Sequence, residues 1–453
     1  MREIITEALV QKYNVPCPRY TSYPTVPYWD VANFNLEKWE ESVRKDFLIS
    51  NKNGGMSLYL HLPYCESLCT YCGCNTRITI NHKVELPYIE TILKEWRLYV
   101  NLFADKPILS ELHLGGGTPT FFSPENLNYL LTTIYADCII PEETSFSFEG
   151  HPNNTTKEHL QMFYDLGFKR VSFGIQDFDP KVQEIINRIQ PLENVIRVTH
   201  EAREIGYTSV NYDLVYGLPM QQLDTVKDTV EKVIGLLPDR IAFYSYAHVP
   251  WLKPGQRKFT DADLPSDSTK RDLYELGKTM FLDAGYGDVG MDHFALPNDE
   301  LTLASQNGKL HRNFMGYTAQ HTKFSIGLGV SSISDTWGSF AQNVKTVEGY
   351  QLKVDAGIIP VFKGHILTDE DLKLRSHILE VMCQYRTSWK EGELSTDIID
   401  QLHALEADGL IHLGDTSFAV TEIGKAFLRN ICMAFDVRLW QDKIAKVQFS
   451  TSV

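Results

Sequence analysis

Cys65, Cys69 and Cys72 are spaced C-x3-C-x2-C in His61-Leu-Pro-Tyr-Cys-Glu-Ser-Leu-Cys-Thr-Tyr-Cys-Gly-Cys74, so one short loop holds three thiols. Three thiolates on a four-iron cluster leave one iron open to a non-protein ligand. Electron-carrying ferredoxins with the C-x2-C-x2-C-x3-C run close every iron with cysteine. The spacing therefore points to chemistry at a cluster. A second reading is a structural zinc held by Cys65, Cys69, Cys72 and Cys74, although zinc sites typically assemble from two separated pairs.

The chain of 453 residues can bury a large core, and about 100–200 residues per domain allows two to four domains. Half of its eight cysteines fall between Cys65 and Cys74, which excludes a disulfide framework and leaves Cys17, Cys138, Cys383 and Cys432 as expected buried thiols. A net charge of −15 argues against a nucleic-acid surface. No apolar run approaches the roughly 20 residues of a membrane span, and the charged, amphipathic start Met1–Val10 lacks a signal peptide's apolar core. A soluble, cytoplasmic protein is expected.

From Ser57 to Ala247, β-rich runs alternate with amphipathic helical stretches, the pattern of an α/β protein with a parallel sheet. Six strands are predicted: Ser57–Leu62, Ile108–Leu114, Thr144–Glu149, Arg170–Gly174, Ser209–Val215 and Arg240–Tyr246. Ser123-Pro124 reads as a helix start, and Gly167 and Gly206 as helix ends. The cysteines follow the first strand, Gly115-Gly-Gly-Thr118 the second, and Glu149 ends the third, all at the sheet edge that carries active sites in barrels and open α/β sheets. Beyond His248 the alternation weakens into a loop-rich segment. After Thr368-Asp-Glu-Asp371, a capping-box start, helices and the strand pair Leu410–Leu413 and Ser417–Val420 suggest a winged helix without a basic recognition face.

The cysteine loop, with Tyr71 before its third cysteine, resembles that of the radical S-adenosylmethionine (SAM) superfamily. The resemblance implies a partial (β/α)6 barrel in which SAM chelates the open iron and an electron from the cluster yields a 5′-deoxyadenosyl radical that abstracts hydrogen. Pro18–Thr25, Cys72-Gly-Cys74, Gly115–Thr120, Gly174–Phe178, Asp213–Pro219, Gly290–Phe294, His311–Tyr317 and Asn430–Asp436 extend it over nearly the whole chain to the oxygen-independent coproporphyrinogen III oxidase family. That family converts two propionates of coproporphyrinogen III to vinyl groups, giving protoporphyrinogen IX and carbon dioxide in heme synthesis.

The resemblance implies one 4Fe-4S cluster on Cys65, Cys69 and Cys72, and two SAM molecules. Tyr59, Gly116, Glu149, the backbone of Ala247 and Ile333 would line the first SAM. Tyr71, Gly117, Thr118, Gln176, Arg188 and Asp213 would contact the second. Glycines in the second-strand turn would let backbone groups approach SAM with no Cβ in the way. Taken singly, each of these residues has a bland alternative: Tyr59 as core, Glu149 in an ion pair, Arg188 on a solvated helix face. The sequence departs from the family at Gly150-His151, which puts Glu149's surroundings in doubt. No catalytic residue is assigned. Arg19, Arg312 and Lys323 lie in or near matching motifs and suit the substrate's propionates, without a role being assigned to any of them.

Three units are expected: an extension at 1–54, a catalytic domain at 55–365 that includes the loop-rich segment, and a C-terminal domain at 366–453. Expected partners are coproporphyrinogen III and an unidentified electron donor and acceptor, with no nucleic acid, no membrane span and a monomeric state. The rival readings are a heme chaperone of the same family and another radical enzyme acting on a tetrapyrrole. Cys74 and the Pro18–Thr25 segment favour the dehydrogenase, because the chaperone branch usually carries an aromatic at the first and lacks the second.

Overall fold

The protein is described here from a computed structural model covering residues 5–320, 322–441 and 449. Six βα repeats start with β1 (Met56–Leu62), β2 (Leu109–Gly116), β3 (Ser145–Gly150), β4 (Arg170–Gln176), β5 (Ser209–Tyr216) and β6 (Arg240–Ser245). Each pairs in parallel with the next. Their limits lie within two residues of the predicted ones, because each is a run of β-branched, aromatic and leucine side chains bounded by turn residues. The helix Pro124–Ala136 begins as predicted, its N-cap Ser123 hydroxyl accepting from the Asn126 amide at 3.3 Å. Gly206 ends the helix Leu192–Ile205 at φ 113°, in the left-handed region.

The segment after the sixth strand is not mainly loop. It contains β7 (Gly287–Gly290), β8 (His293–Ala295), β9 (Ser325–Leu328), β10 (Ile333–Asp335), β11 (Ser339–Asn343) and β12 (Val361–Ile366). These strands are three to six residues long, too short for hydrophobic alternation to show. β9 lies parallel to β1, pairing Ser57 with Ser325, so it adds a seventh parallel strand outside the predicted six. The finished sheet has twelve strands in the order β12-β11-β10-β9-β1-β2-β3-β4-β5-β6-β8-β7 and stays open at both edges.

One core lies between this sheet and its helices. Trp39, Val43 and Phe47 of Leu36–Asn51 and Tyr88, Ile92, Trp96 and Tyr99 of Glu85–Val100 pack on outward-facing strand residues such as Leu58, Leu112 and Phe148. Each such large side chain removed from water contributes about 1.5–3 kcal/mol. A second core joins Cys17, Tyr20 and Tyr23 to Ile378, Leu402, Phe418, Ile431 and Phe435. The N-terminal stretch is thus shared: its helix covers the sheet, while Cys17–Tyr23 packs against C-terminal residues.

In the C-terminal region, helices Asp369–Gln384 and Thr396–Ala407 flank β13 (Arg386–Ser388), β14 (Ile411–Leu413) and β15 (Ser417–Val420), with β15 central in an antiparallel sheet. The first helix opens with the predicted capping box, Asp371 N to Thr368 Oγ1 at 3.1 Å and Thr368 N to Asp371 Oδ2 at 3.0 Å. Arg375 on this helix reaches the main sheet: its guanidinium donates to both carboxylate oxygens of Asp335 at 3.2 and 2.5 Å and lies 4.1 Å from the Trp337 ring centroid. Among the described residues, no helix is long and apolar enough to cross a membrane.

Candidate active site and cofactor cleft

The cysteine loop leaves β1 and is fastened at once to the glycine turn that ends β2. Gly117 N donates to Leu62 O at 2.8 Å and Thr118 N to Tyr64 O at 3.0 Å. Gly116 adopts φ 112°. A Cβ at Gly115 would lie 2.8 Å from Glu149 Oε1, one at Gly116 would lie 2.7 Å from the His61 ring, and one at Gly117 would lie 2.5 Å from the Pro63 carbonyl. Gly116 and Gly117 are therefore already required by the protein's own packing of cluster loop against turn, a different reason from the cofactor access expected from sequence, whereas a Cβ at Gly115 would meet only the movable end of the Glu149 side chain.

Cys65, Cys69 and Cys72 are half-buried free thiols on one wall of a cleft of about 520 Å³. The same cleft is lined by Tyr71, Gly116, Gly117, Thr118, Glu149, Gln176, Arg188 and Asp213. Cys65 Sγ lies 3.4 Å from Thr118 Oγ1, and Arg188 Nη1 donates to Cys69 Sγ at 3.7 Å. Arg188 is held by a second bond from Nη2 to Gly174 O at 2.6 Å, while its Nε is buried without a partner. Burial pushes the Cys65 thiol up to about 11, whereas a hydrogen bond from Cys74 outweighs burial at Cys72 and pushes that thiol down.

Strand parity supplies the cleft floor. Ser172 Oγ donates to Asp213 Oδ2 at 2.8 Å and Asn211 Nδ2 to Oδ1 at 2.9 Å, and burial raises the Asp213 carboxyl to about 6. Gln176 sits at φ 69° beside an irregularity in the β4–β5 ladder, a conformation that a non-glycine residue holds only when its surroundings enforce it. At the departure from the family pattern, Gly150 is needed because a Cβ would meet Thr155 Oγ1 at 2.9 Å and Phe173 at 3.0 Å, and His151 lines the cleft.

A second cavity of about 280 Å³ shares Glu149 with the first and holds Tyr59 and Ile333. Tyr59 Oη is 3.1 Å from His61 Nδ1, and its ring stacks on His113 at 6.0 Å between centroids. The first set assigned from sequence straddles the two cavities: Tyr59, Glu149 and Ile333 line the smaller, Gly116 lines the larger beside the second set, and Glu149 faces both. Ala247 lines neither. Its carbonyl accepts from Gln256 Nε2 at 3.2 Å, and the same nitrogen reaches Tyr71 O at 3.3 Å, so Gln256 ties Ala247 to the cysteine loop.

Sequence reasoning missed Gln256 and the histidines of the second cavity, His61, His113 and His311. Two of them were detectable by period two: His61 follows Tyr59 and His113 precedes Gly115 on the same strand face. His311 belongs to a three-residue strand and gives no such signal.

Among the described residues, no three His, Cys, Asp or Glu side chains converge as a single-ion site requires. Three thiolates on three separate irons need only face a common space, and Cys65, Cys69 and Cys72 do so around the cleft. Arg188 beside Cys69 also offers positive charge to an anionic cluster or a carboxylate. The residues present fit a 4Fe-4S group.

A Radical SAM superfamily model matches residues 59–233. The oxygen-independent coproporphyrinogen III oxidase of Synechocystis is 38% identical, covering 98% of this chain and 97% of that protein. The Helicobacter pylori protein of the same name is 38% identical over 94% of this chain and 95% of its own length. Among solved structures, the coproporphyrinogen III oxidase of Escherichia coli, described as a radical SAM enzyme, matches with TM-score 0.90 at 34% identity, over 97% of this chain and 100% of that one. With its three cysteines, glycine turn and strand-end acids on the same scaffold, the chain belongs to the oxygen-independent coproporphyrinogen III oxidase family of radical SAM enzymes.

Proposed function

We infer that this enzyme carries out the oxygen-independent conversion of coproporphyrinogen III to protoporphyrinogen IX. In that reaction each of two propionate side chains gives up one β-hydrogen atom, one electron and, from its carboxylate, carbon dioxide to become a vinyl group. The observation that carries the reading is the facing of Cys65, Cys69 and Cys72, with Arg188, into one cleft that also holds the glycine turn, Glu149 and Asp213.

Cys65, Cys69 and Cys72 would hold the cluster, which when bound supplies the electron that cleaves SAM. Around it the chain's own residues bind and orient. Arg188 suits a SAM carboxylate, and the Asp213 carboxylate, as an acceptor, suits hydroxyl or amino donors. Tyr71, Gly117, Thr118 and Gln176 share that cleft and are read with them as contacts of a second SAM. Tyr59, Gly116, Glu149 and Ile333, with the Ala247 backbone braced by Gln256, are read as contacts of the first. The cleft walls hold the reacting groups in position. The units 1–54, 55–365 and 366–453 are read as the functional divisions, in a cytoplasmic monomer served by a separate electron donor and acceptor.

The test is anaerobic reconstitution of the cluster, addition of SAM, a strong reductant and coproporphyrinogen III, and chromatography for protoporphyrinogen IX. Appearance of product with loss of two carbon dioxide masses supports the reading. Tight heme binding without turnover would reverse it in favour of the chaperone.

A further inference from the structure

Outside the cofactor cleft, five cationic side chains converge in a chain of net charge −15. Arg19 from the N-terminal segment, Lys270 and Arg271 from the helix Asp267–Asp283, and Lys425 and Arg429 from the C-terminal region line one cavity of about 60 Å³, with Asp292 as the sole lining carboxylate among the described residues. The space is large enough for a small oxyanion.

Three of the five cations are neutralised internally: Arg19 by Asp292 at 3.0 Å, Lys425 by Glu422 at 2.6 Å and Arg271 by Glu275. The other two hydrogen-bond only to carbonyls, with Asp267 and Asp292 acting on Lys270, and Asp292 on Arg429, through space. Lys270 Nζ donates to Tyr246 O at 3.0 Å, and Arg429 donates to Pro18 O at 3.1 Å and to Cys17 O. Arg429 is 8% exposed. Arg271 Nε is buried with no partner. The arrangement is built rather than incidental: Gly217, at φ 82°, leaves the room that the Lys270 stem occupies, since a Cβ there would lie 2.8 Å from Lys270 Cε. Positive charge in a part-buried cavity, held mainly by carbonyls and by carboxylates at a distance, is costly, and an oxyanion accepting from several cations at once offsets that cost.

We propose that this cavity is an oxyanion-binding site for a carboxylate or phosphate group, with Lys270, Arg271 and Arg429 as its donors. Burial, opposed by Asp267 and Asp292 and reinforced by Arg19 and Arg429, already pushes the Lys270 ammonium down to about 8, the direction that a bound anion would reverse. Two sources share this chemistry. One is a propionate of the tetrapyrrole, a source that rests on the proposed function; Arg19, 5.9 Å from the ring centroid of cleft residue Tyr244, lies between the two sites. The other is free phosphate.

The experiment is thermal unfolding of the cluster-loaded enzyme with inorganic phosphate or sodium propionate, against sodium chloride at matched ionic strength. The expected result is a higher Tm with either oxyanion, lost in Lys270→Met and in Arg271→Met and kept in Lys270→Arg. Equal shifts in wild type and Lys270→Met, or none in wild type, overturn the proposal. This measurement needs no turnover, so its failure is distinct from failure of the proposed reaction. Where turnover is present, a KM for coproporphyrinogen raised roughly tenfold in Lys270→Met with kcat retained assigns the site to the substrate. An unchanged KM alongside the lost Tm shift assigns it to free phosphate.

Discussion

The larger cleft is lined by residues 65 to 244, carried on the ends of consecutive strands and the loops that follow them, whereas the smaller cavity takes Tyr59, His61 and His113 from β1 and β2 and all but Glu149 of the rest from residues 311–335. The first is a product of one local rule, a loop after each parallel strand. The second exists only because β9 and β10 return to the far side of β1, where Arg375 of the C-terminal helix anchors Asp335. Chemistry at the cluster and enclosure of the neighbouring space therefore depend on different parts of the chain, and the two can be damaged separately.

The largest effect is expected at the larger cleft. Cys65→Ser removes one of three cluster ligands, so iron content and visible absorbance after reconstitution should collapse and turnover should vanish. Turnover persisting in that variant would sink the mechanism.

Arg375→Met attacks the smaller cavity from a distance. Leaving Asp335 buried without its cation should cost about 3–5 kcal/mol in denaturant unfolding, with the cluster absorbance intact. Adding Asp335→Asn should recover most of the loss, and a double variant as unstable as the single one would show that the pair is not the link.

Glu95 tests the same wall through pH. It is fully buried, accepting from Gly329 N at 2.8 Å, Asn343 Nδ2 at 2.7 Å and Tyr350 Oη at 2.7 Å, and burial raises its carboxyl from 4.5 to about 7. A carboxyl with a raised folded-state value holds its proton longer when folded than when unfolded. Its share of stability is therefore full below about 4.5 and falls as pH rises to about 7, by about 3 kcal/mol at 1.36 kcal/mol per unit. Glu95→Gln should flatten that slope, and an unchanged pH profile of unfolding would remove Glu95 as its source.

Gly117→Ala returns to the larger cleft with a smaller penalty. Its Cβ would press on the Pro63 carbonyl at 2.5 Å, so a loss of about 1–3 kcal/mol is expected, with poorer cluster uptake. Free accommodation of alanine would mean that loop and turn are not in register as described. The smallest effect is expected for Cys74→Ser: iron should stay bound, and loss of the cluster would make Cys74 a ligand.

The six repeats were legible because each strand is long enough to show its apolar run and some helix ends carry a marker, Ser123 and Gly206 being two. The cleft was legible for the same reason, since Cys65, Gly116 and Glu149 lie at the ends of adjacent strands or in the loop that follows. His113 was readable from strand parity with Gly115. His311, Gln256 and the partnership of Arg375 with Asp335 were not, because nothing in a three-residue strand or an isolated polar residue says which distant backbone it will meet.

By itself the amino-acid sequence determined the spacing of three thiols, the βα alternation and the turn chemistry that places one after the other, all of which follow from interactions within a few residues. Tertiary structure alone decided that β9 extends the sheet beyond β1, that Cys17–Tyr23 joins the C-terminal core and that five cations meet in one small cavity. Those outcomes are set by packing among segments far apart in the chain, where burial and charge compensation, rather than local propensity, choose the neighbour.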